Sequence, residues 1–194
     1  MLAARQRAIA PRRSKIRSPA PPLGTAELNA ISAEVENIRA YSAFISANLT
    51  LDQNTANPVR IARVRGFQAS WPSMDGWGVI LGRLISLQEH KASAPVIMLF
   101  ESVAEALWPS QDPLTKTLSM KNIEFSVVGV LADDENQGSS SIIVPEIYMP
   151  LGIAASLTEK DVYEEIALRS NNVGVTSQVA ASVREILRAV RGLP

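Results

Sequence analysis

The sequence contains no cysteine. Disulfide-stapled scaffolds, thiolate nucleophiles and metal sites with cysteine ligands are therefore excluded. Histidine is almost as scarce, because His90, in the polar segment SLQEHKASAP, is the only one. A single histidine without partners cannot build a metal site. The sequence therefore predicts that His90 is a surface residue on an extended stretch.

Long hydrophobic runs are also missing. No apolar run approaches the ~20 residues that span a bilayer. The start, MLAARQRAIAPRR, lacks the continuous apolar core of a signal peptide. Taken literally, these absences predict a cytoplasmic protein. A domain that lies between two membrane helices of a longer chain would have the same character, so both locations stay open at this point.

The common catalytic motifs do not occur either. The chain has no G-x-S-x-G, no H-E-x-x-H and no glycine-rich phosphate loop. The acidic triplet Asp133, Asp134 and Glu135 lacks the alternating ligand spacing of an EF-hand. Glu101 and Glu105 are one helical turn apart without a third polar partner, so an exposed helix face is expected. The sequence therefore predicts no enzyme, no cofactor, and no catalytic, cofactor-binding or metal-binding residue.

The aromatic side chains offer one further candidate for ligand binding. Three tryptophans, Trp71, Trp77 and Trp108, are spread along the chain beside apolar neighbours. Stacking against a ligand is conceivable, but this setting is more typical of residues that anchor a core. We therefore expect them to stabilise the fold.

The formal net charge of zero conceals an uneven distribution. Six of the 19 basic residues precede Ser18 without any acid among them, and the other 13 face 19 acidic residues, a net charge of −6. The six are Arg5, Arg7, Arg12, Arg13, Lys15 and Arg17. A basic arm on an acidic body indicates either a nucleic-acid or membrane contact, or a solvated tail. The body lacks the basic, aromatic-interleaved face that nucleic-acid binding needs.

Hydrophobic periodicity predicts an α+β protein with helices that cover the faces of a sheet. A helix is expected over residues 26–37 with Thr25 as its N-cap. The segments IRAYSAFISANLTL, NPVRIARVRGF and DVYEEIALRS are predicted strands. The three arginines of the second strand, Arg60, Arg63 and Arg65, indicate a solvated sheet edge. APVIMLF is predicted to be a strand buried on both faces, and ESVAEALWP a two-turn helix. The last helix opens at Thr176 or Ser177.

Residues 112–133 carry the clearest pattern. TLSM and IEFSVVGVL alternate apolar and polar residues and meet at Lys121 and Asn122. Asparagine tolerates the positive φ that a two-residue hairpin turn needs. We therefore predict a hairpin that buries Leu118, Met120, Phe125 and Val127. It is expected to pack under the helix that carries Val103 and Leu107.

The segment PVIMLFESVAEALWPSQDPLTKTLSMKNIEFSVVGVLAD resembles the periplasmic core domain of MacB-like ABC transporter permeases, a group with FtsX- and LolC-type relatives in the type VII superfamily. The family pattern contains a buried strand, an ETVAEALFP-type helix, DPLGKTL and FTVVGV. The sequence departs from it at Thr115, where the family usually has glycine. Further similar segments extend the resemblance over residues 25–191: VRGFQASWPSMDGWGVILGRLIS, IYMPLGIAASL and EEIALRS.

The resemblance implies a domain organisation. Residues 1–24 would form a basic, proline-rich and partly disordered arm. Residues 25–70 and 158–194 would form a porter-like subdomain from both chain ends. Residues 71–157 would form an inserted, sabre-like mixed β/α subdomain.

The resemblance also implies a function. The domain would lie outside the membrane, in the periplasm, as part of a plasma-membrane permease. It would transmit conformational change (mechanotransmission) and contact cargo or a partner during export of a compound, peptide or lipoprotein. Its partners would be an ABC ATPase, the permease helices, a second copy in a homodimer, and an adaptor or cargo protein, with no nucleic acid. The alternative is a stand-alone binding module that contacts nucleic acid through its basic arm.

Overall fold

The computed structural model describes residues 22–52, 61–72, 78–133, 145–159 and 162–192. Within these ranges the chain forms eight strands and five α-helices, which confirms the predicted α+β class. The strands are β1 (Ile38–Thr50), β2 (Ile61–Phe67), β3 (Val79–Gly82), β4 (Val96–Phe100), β5 (Thr117–Met120), β6 (Ile123–Leu131), β7 (Glu146–Pro150) and β8 (Glu165–Ser170). The helices are α1 (Thr25–Glu34), α2 (Leu87–Ala92), α3 (Glu101–Leu107), α4 (Leu151–Thr158) and α5 (Thr176–Val190).

Some predictions concern residues outside the described ranges. These are the N-terminal arm up to residue 21, Trp77, and Asp134 and Glu135 of the acidic triplet. Across the described residues, no helix combines the length and the apolarity that crossing a lipid bilayer requires.

The strands form one mixed sheet in the order β3-β6-β4-β7-β2-β1-β8, with β5 beside β6. Neighbours in the sheet are antiparallel except for β2–β7 and β4–β6, which are parallel. Strand β8 pairs antiparallel with β1, so the C-terminal strand returns to the sheet of the first two strands. The boundaries predicted for the two subdomains therefore lie within one hydrogen-bonded sheet.

The predicted hairpin is formed by β5 and β6. Leu118 pairs with Phe125, and Lys121 and Asn122 adopt φ values of 48° and 62°. Two consecutive left-handed residues match the right-handed twist of the flanking strands. Leu118, Met120, Phe125 and Val127 are buried as predicted. Because side chains alternate along a strand, Glu124 projects from the other face of β6 and is exposed.

The main core joins the hairpin to the central strands. Ile97, Met98 and Leu99 of β4 are fully buried, as expected for a strand covered on both faces. Val103 of α3 and Phe125 of the hairpin belong to this same buried cluster, and α3 contacts β6. A smaller cluster around Ile31 and Val179 holds α1 and α5 against β1 and β8.

The structure contradicts the solvated sheet edge predicted at Arg63 and Arg65, and Arg60 lies outside the described residues. Strand β2 is paired on both sides, by β1 and β7, so Arg63 and Arg65 do not mark a sheet edge. Arg63 is paired with Glu146 and Arg65 with Glu165, so ion pairs balance both charges within the sheet.

Two details at helix ends also differ from expectation. The N-cap of α1 is Gly24, whose N–H donates to the Glu27 carboxylate at 2.9 Å, and Thr25 is the first helical residue. Thr115, which replaces the family glycine, lies in a 3₁₀-helix, Pro113–Thr115, and not in the left-handed region. Its hydroxyl donates to the Asp112 carbonyl at 2.8 Å, so threonine is accommodated without backbone strain.

Candidate functional site

A groove of about 670 Å³ opens on the described structure, and we call it the β1 groove. It is lined by the end of α1, the start of β1, the segment after β2, helix α2 and the first residues of α4. Its walls therefore come from both of the predicted subdomains. Helices α2 and α4 meet at the floor, where Gly152 packs against Ser93 so closely that a Cβ at residue 152 would overlap the serine hydroxyl.

One wall of the groove is an edge of β1 that lacks a strand partner. Strand β2 pairs with β1 only from Ile45 onward, whereas β8 pairs with residues 38–44 on the opposite edge. Side chains take over where β2 ends: Gln68 Oε1 accepts the Ala43 N–H at 3.0 Å, and Ser70 Oγ donates to the Tyr41 carbonyl at 2.6 Å. Before Tyr41, no described strand continues the ladder on this side.

The electrostatic character of the groove differs from that of the body. Arg39 and Lys91 line it, both exposed, and neither has an ion-pair partner among the described residues. No acidic side chain belongs to the described lining. The groove is therefore a basic site on a body with a negative net charge.

His90 forms part of the wall, and its environment contradicts the predicted extended surface position. It lies in α2, is half-buried, and packs edge-on against Phe67 with ring centroids 4.9 Å apart. Burial lowers the pKa of His90, although Glu89 and a hydrogen bond with the Phe67 backbone act in the opposite direction. The neutral imidazole is therefore favoured, and the positive charge of the groove comes from arginine and lysine.

Helix α2 carries the residues that the sequence interpretation missed. Its N-cap Ser86 accepts the Glu89 N–H, and the Glu89 carboxylate accepts the Ser86 N–H at 2.8 Å. This reciprocal capping box is visible as S-L-Q-E in the sequence and could have revealed the helix. Leu87, the first residue of α2, is 60% exposed and provides an apolar surface at the rim.

The other candidate residues do not converge on this groove. Glu101 and Glu105 lie on an exposed face of α3, as predicted. Trp71 packs edge-on against Phe44 at 4.6 Å, and Trp108 is buried in the core, so both anchor the fold as expected. Asp133 accepts hydrogen bonds from the backbone and hydroxyl of Ser102 at the start of α3.

The described residues contain no cluster of three or more His, Asp or Glu side chains that could hold a metal ion. The chemistry of the β1 groove is that of a binding surface: backbone polar groups of a strand edge, two cations and an apolar rim.

A second feature joins the two ends of the described chain. The guanidinium of Arg191, after α5, lies 3.0 Å from the Glu27 carboxylate in α1, and both side chains are largely buried. Arg191 also donates to the Pro22 carbonyl at 3.2 Å. Nearby, Tyr163 donates its N–H to the Leu23 carbonyl at 2.6 Å. The segments that precede α1 and follow α5 are thereby held side by side.

Comparison with known proteins gives a consistent result. The family model of the MacB-like periplasmic core domain matches residues 3–186. A macrolide export ATP-binding/permease protein MacB from Marinobacter nauticus is 30% identical over 98 residues, which cover 50% of this chain and 15% of that protein. The chain thus matches a small part of this relative's length.

Two solved structures share the fold. The periplasmic region of MacB from Actinobacillus actinomycetemcomitans superimposes with a TM-score of 0.76 at 20% identity, covering 91% of this chain and 78% of that one. The extracellular domain of the noncanonic ABC-type transporter YknZ from Gram-positive bacteria gives a TM-score of 0.75 at 14% identity, covering 89% and 86%. These matches do not favour the alternative of a nucleic-acid-binding module.

Proposed function

Because the chain belongs to the family of MacB-like periplasmic core domains of ABC transporter permeases, we propose that it transmits conformational change between permease helices and a partner or cargo during export. On this proposal the domain lies outside the cytoplasm. ATP is hydrolysed by a separate ABC ATPase, and two copies of the permease act together in a homodimer. The domain itself performs no chemistry.

The contact between the chain ends is the observation that carries this proposal. Arg191 and Glu27 connect the end of α5 to the start of α1, and β8 joins β1 through a ladder of backbone hydrogen bonds. A displacement applied at both ends therefore reaches the sheet through stiff, hydrogen-bonded elements. Loose linkers would dissipate the same displacement.

We also propose the division into a chain-end subdomain, residues 25–70 and 158–194, and an inserted subdomain, residues 71–157. Strands β2 and β7 pair across this boundary along five residue pairs. The two units would therefore move as coupled bodies, and the groove between them would respond to their relative position.

The test uses the full-length permease with its ATPase in lipid nanodiscs. Replacing Arg191 by Met removes the chain-end ion pair while keeping an apolar stem. We expect export to fall while ATP hydrolysis continues, because the ATPase would still turn over but its conformational change would no longer reach the domain. Lys121→Met is the matched control, since it breaks the exposed Lys121–Glu159 pair on the hairpin turn, and export should persist. Unchanged export in a folded Arg191→Met permease would contradict the proposal.

A further inference from the structure

The β1 groove combines three features that fit one kind of ligand. The first is the strand edge at residues 38–41. Backbone N–H and C=O groups alternate between the two edges of a strand, and here β8 occupies one edge while β2 has already ended on the other. An edge of this kind is a template for an added strand. Gln68 and Ser70 bond to the positions next to β2, at Ala43 and Tyr41.

The second feature is the pair of cations. Arg39 and Lys91 come from β1 and α2, so they lie on separate elements that line the same groove, and no acid of the described lining neutralises them. The ladder with β8 has a bulge at this point, with a register shift between Ile38 and Ala40. Bulges commonly re-aim side chains beside binding sites. The groove therefore favours a ligand with negative charge.

The third feature is the apolar rim. Leu87 is 60% exposed although it is a large aliphatic side chain at the start of a helix. The volume of about 670 Å³ lies within the usual range of ligand-binding clefts. A ligand that fills this space meets backbone groups on one side and an aliphatic surface on another.

We propose that the β1 groove binds an extended, acidic polypeptide segment that adds to the open edge of β1, with its carboxylates beside Arg39 and Lys91 and an apolar side chain on Leu87. This inference rests on the proposed function, in which the domain contacts a protein partner or cargo, and it names the chemistry of the segment that is contacted. A small anion would use the cations but would leave the strand edge and the leucine unused.

The test measures binding of labelled peptides to the 194-residue chain by fluorescence anisotropy. Three probes of about six residues, the length of an ordinary strand, are compared: an alternating Glu-Val peptide, an alternating Lys-Val peptide, and the Glu-Val peptide with N-methylated valines. We expect saturable binding of the first. The second should not bind, because its charge is repelled. The third should bind at least about tenfold more weakly, because it loses backbone donors to the strand edge.

Variants then locate the site. The double variant Arg39→Glu, Lys91→Glu should lower the affinity for the Glu-Val peptide about tenfold or more, since two attractive contacts become repulsive. Leu87→Ser should lower the same affinity about threefold to tenfold, because an apolar contact is lost. Matched controls are Arg184→Glu with Arg188→Glu, two exposed cations of α5 outside the groove, and Val173→Ser, which is 92% exposed. Both controls should bind like the wild type.

Several outcomes would overturn the inference. The Glu-Val peptide could show no saturable binding, or the N-methylated peptide could bind equally tightly. Citrate alone could displace the peptide, or the control variants could lose as much peptide affinity as the groove variants. Preferential binding of single-stranded DNA over the peptide would also contradict it. The export experiment with Arg191→Met does not involve the groove. If no peptide binds but Arg191→Met still reduces export, this inference is refuted and the proposed function stands.

Discussion

Glu27 in the first turn of α1 and Arg191 after α5 are 164 positions apart in sequence and form an ion pair of 3.0 Å. The side chains are only 12% and 14% exposed, so the pair is shielded from solvent. Burial raises the pKa of Glu27, but hydrogen bonds from its own N–H, from the Gly24 N–H and from Arg191 outweigh that effect and lower it. The carboxylate is therefore ionised in the folded domain.

This relationship makes the chain-end contact measurable in the isolated domain. Glu27→Gln should lower the free energy of unfolding by about 2–3 kcal/mol, because it leaves Arg191 without its counter-ion and weakens the hydrogen bond to Gly24. Arg191→Met should cost a similar amount, and the double variant less than the sum. Urea denaturation measures all three. Strictly additive losses would show that the two residues are not coupled.

The hairpin provides a test of register. Phe125→Ala should cost about 3–5 kcal/mol, because the side chain is fully buried in the main core. Glu124→Ala on the opposite face should cost less than about 0.5 kcal/mol, although its carboxylate accepts a hydrogen bond from the Thr117 hydroxyl at the surface. Equal losses in denaturant melts would mean that the two strands pair in another register.

Helix α4 lies directly on the backbone of β2 at Gly66. A Cβ at this position would overlap the Cβ of Ala154, so the helix must move outward in Gly66→Ala. We expect a loss of about 1–3 kcal/mol from this overpacking. Gly78→Ala is the matched control, because its nearest neighbour, Ala132 Cβ, would lie at an ordinary 3.6 Å. The control should change the stability by less than about 0.5 kcal/mol. Thermal unfolding of the two variants is compared. Equal losses of stability would mean that replacing either glycine is harmful in itself, and not because Gly66 touches Ala154.

Glu89 connects the capping box of α2 to Arg83, with two Arg83–Glu89 hydrogen bonds of 2.8 Å. These bonds, followed by those from Ser86, lower the pKa of Glu89 to about 2 against the opposing effect of burial. An unfolded glutamate has a pKa of about 4.3. The stabilisation is therefore complete above about pH 5 and is lost as the pH falls through the folded pKa.

The measurement compares the wild type with Glu89→Gln between about pH 7 and pH 2. At neutral pH the variant should be less stable by about 1–2 kcal/mol, a value reduced by the solvent exposure of Arg83. The difference should shrink as the pH falls below about 5. Arg83→Gln removes the same ion pair from the cationic side and should show the same trend. A difference that stays constant with pH would exclude this ion pair as its source.

The sequence alone determined the elements whose signals are local. The alternation in β5 and β6, the Lys121–Asn122 turn and the buried run of β4 were each predicted correctly, because strand periodicity and turn chemistry depend on adjacent residues. The resemblance to MacB-like domains rested on the same stretch. The start of the last helix was also predicted correctly, because α5 begins at Thr176.

Only the tertiary structure decided which distant segments meet. Arg63 and Arg65 were assigned to an edge because nothing near them in the sequence reveals that β7 pairs with β2. His90 was predicted to lie at the surface because its ring partner, Phe67, is in strand β2 and 23 positions earlier in the sequence. The β1 groove combines parts of five elements, and its open edge exists because β2 stops pairing at Ile45 while β8 continues along the opposite side. Strand register and helix docking minimise the free energy of the whole chain, so no short window of residues contains them.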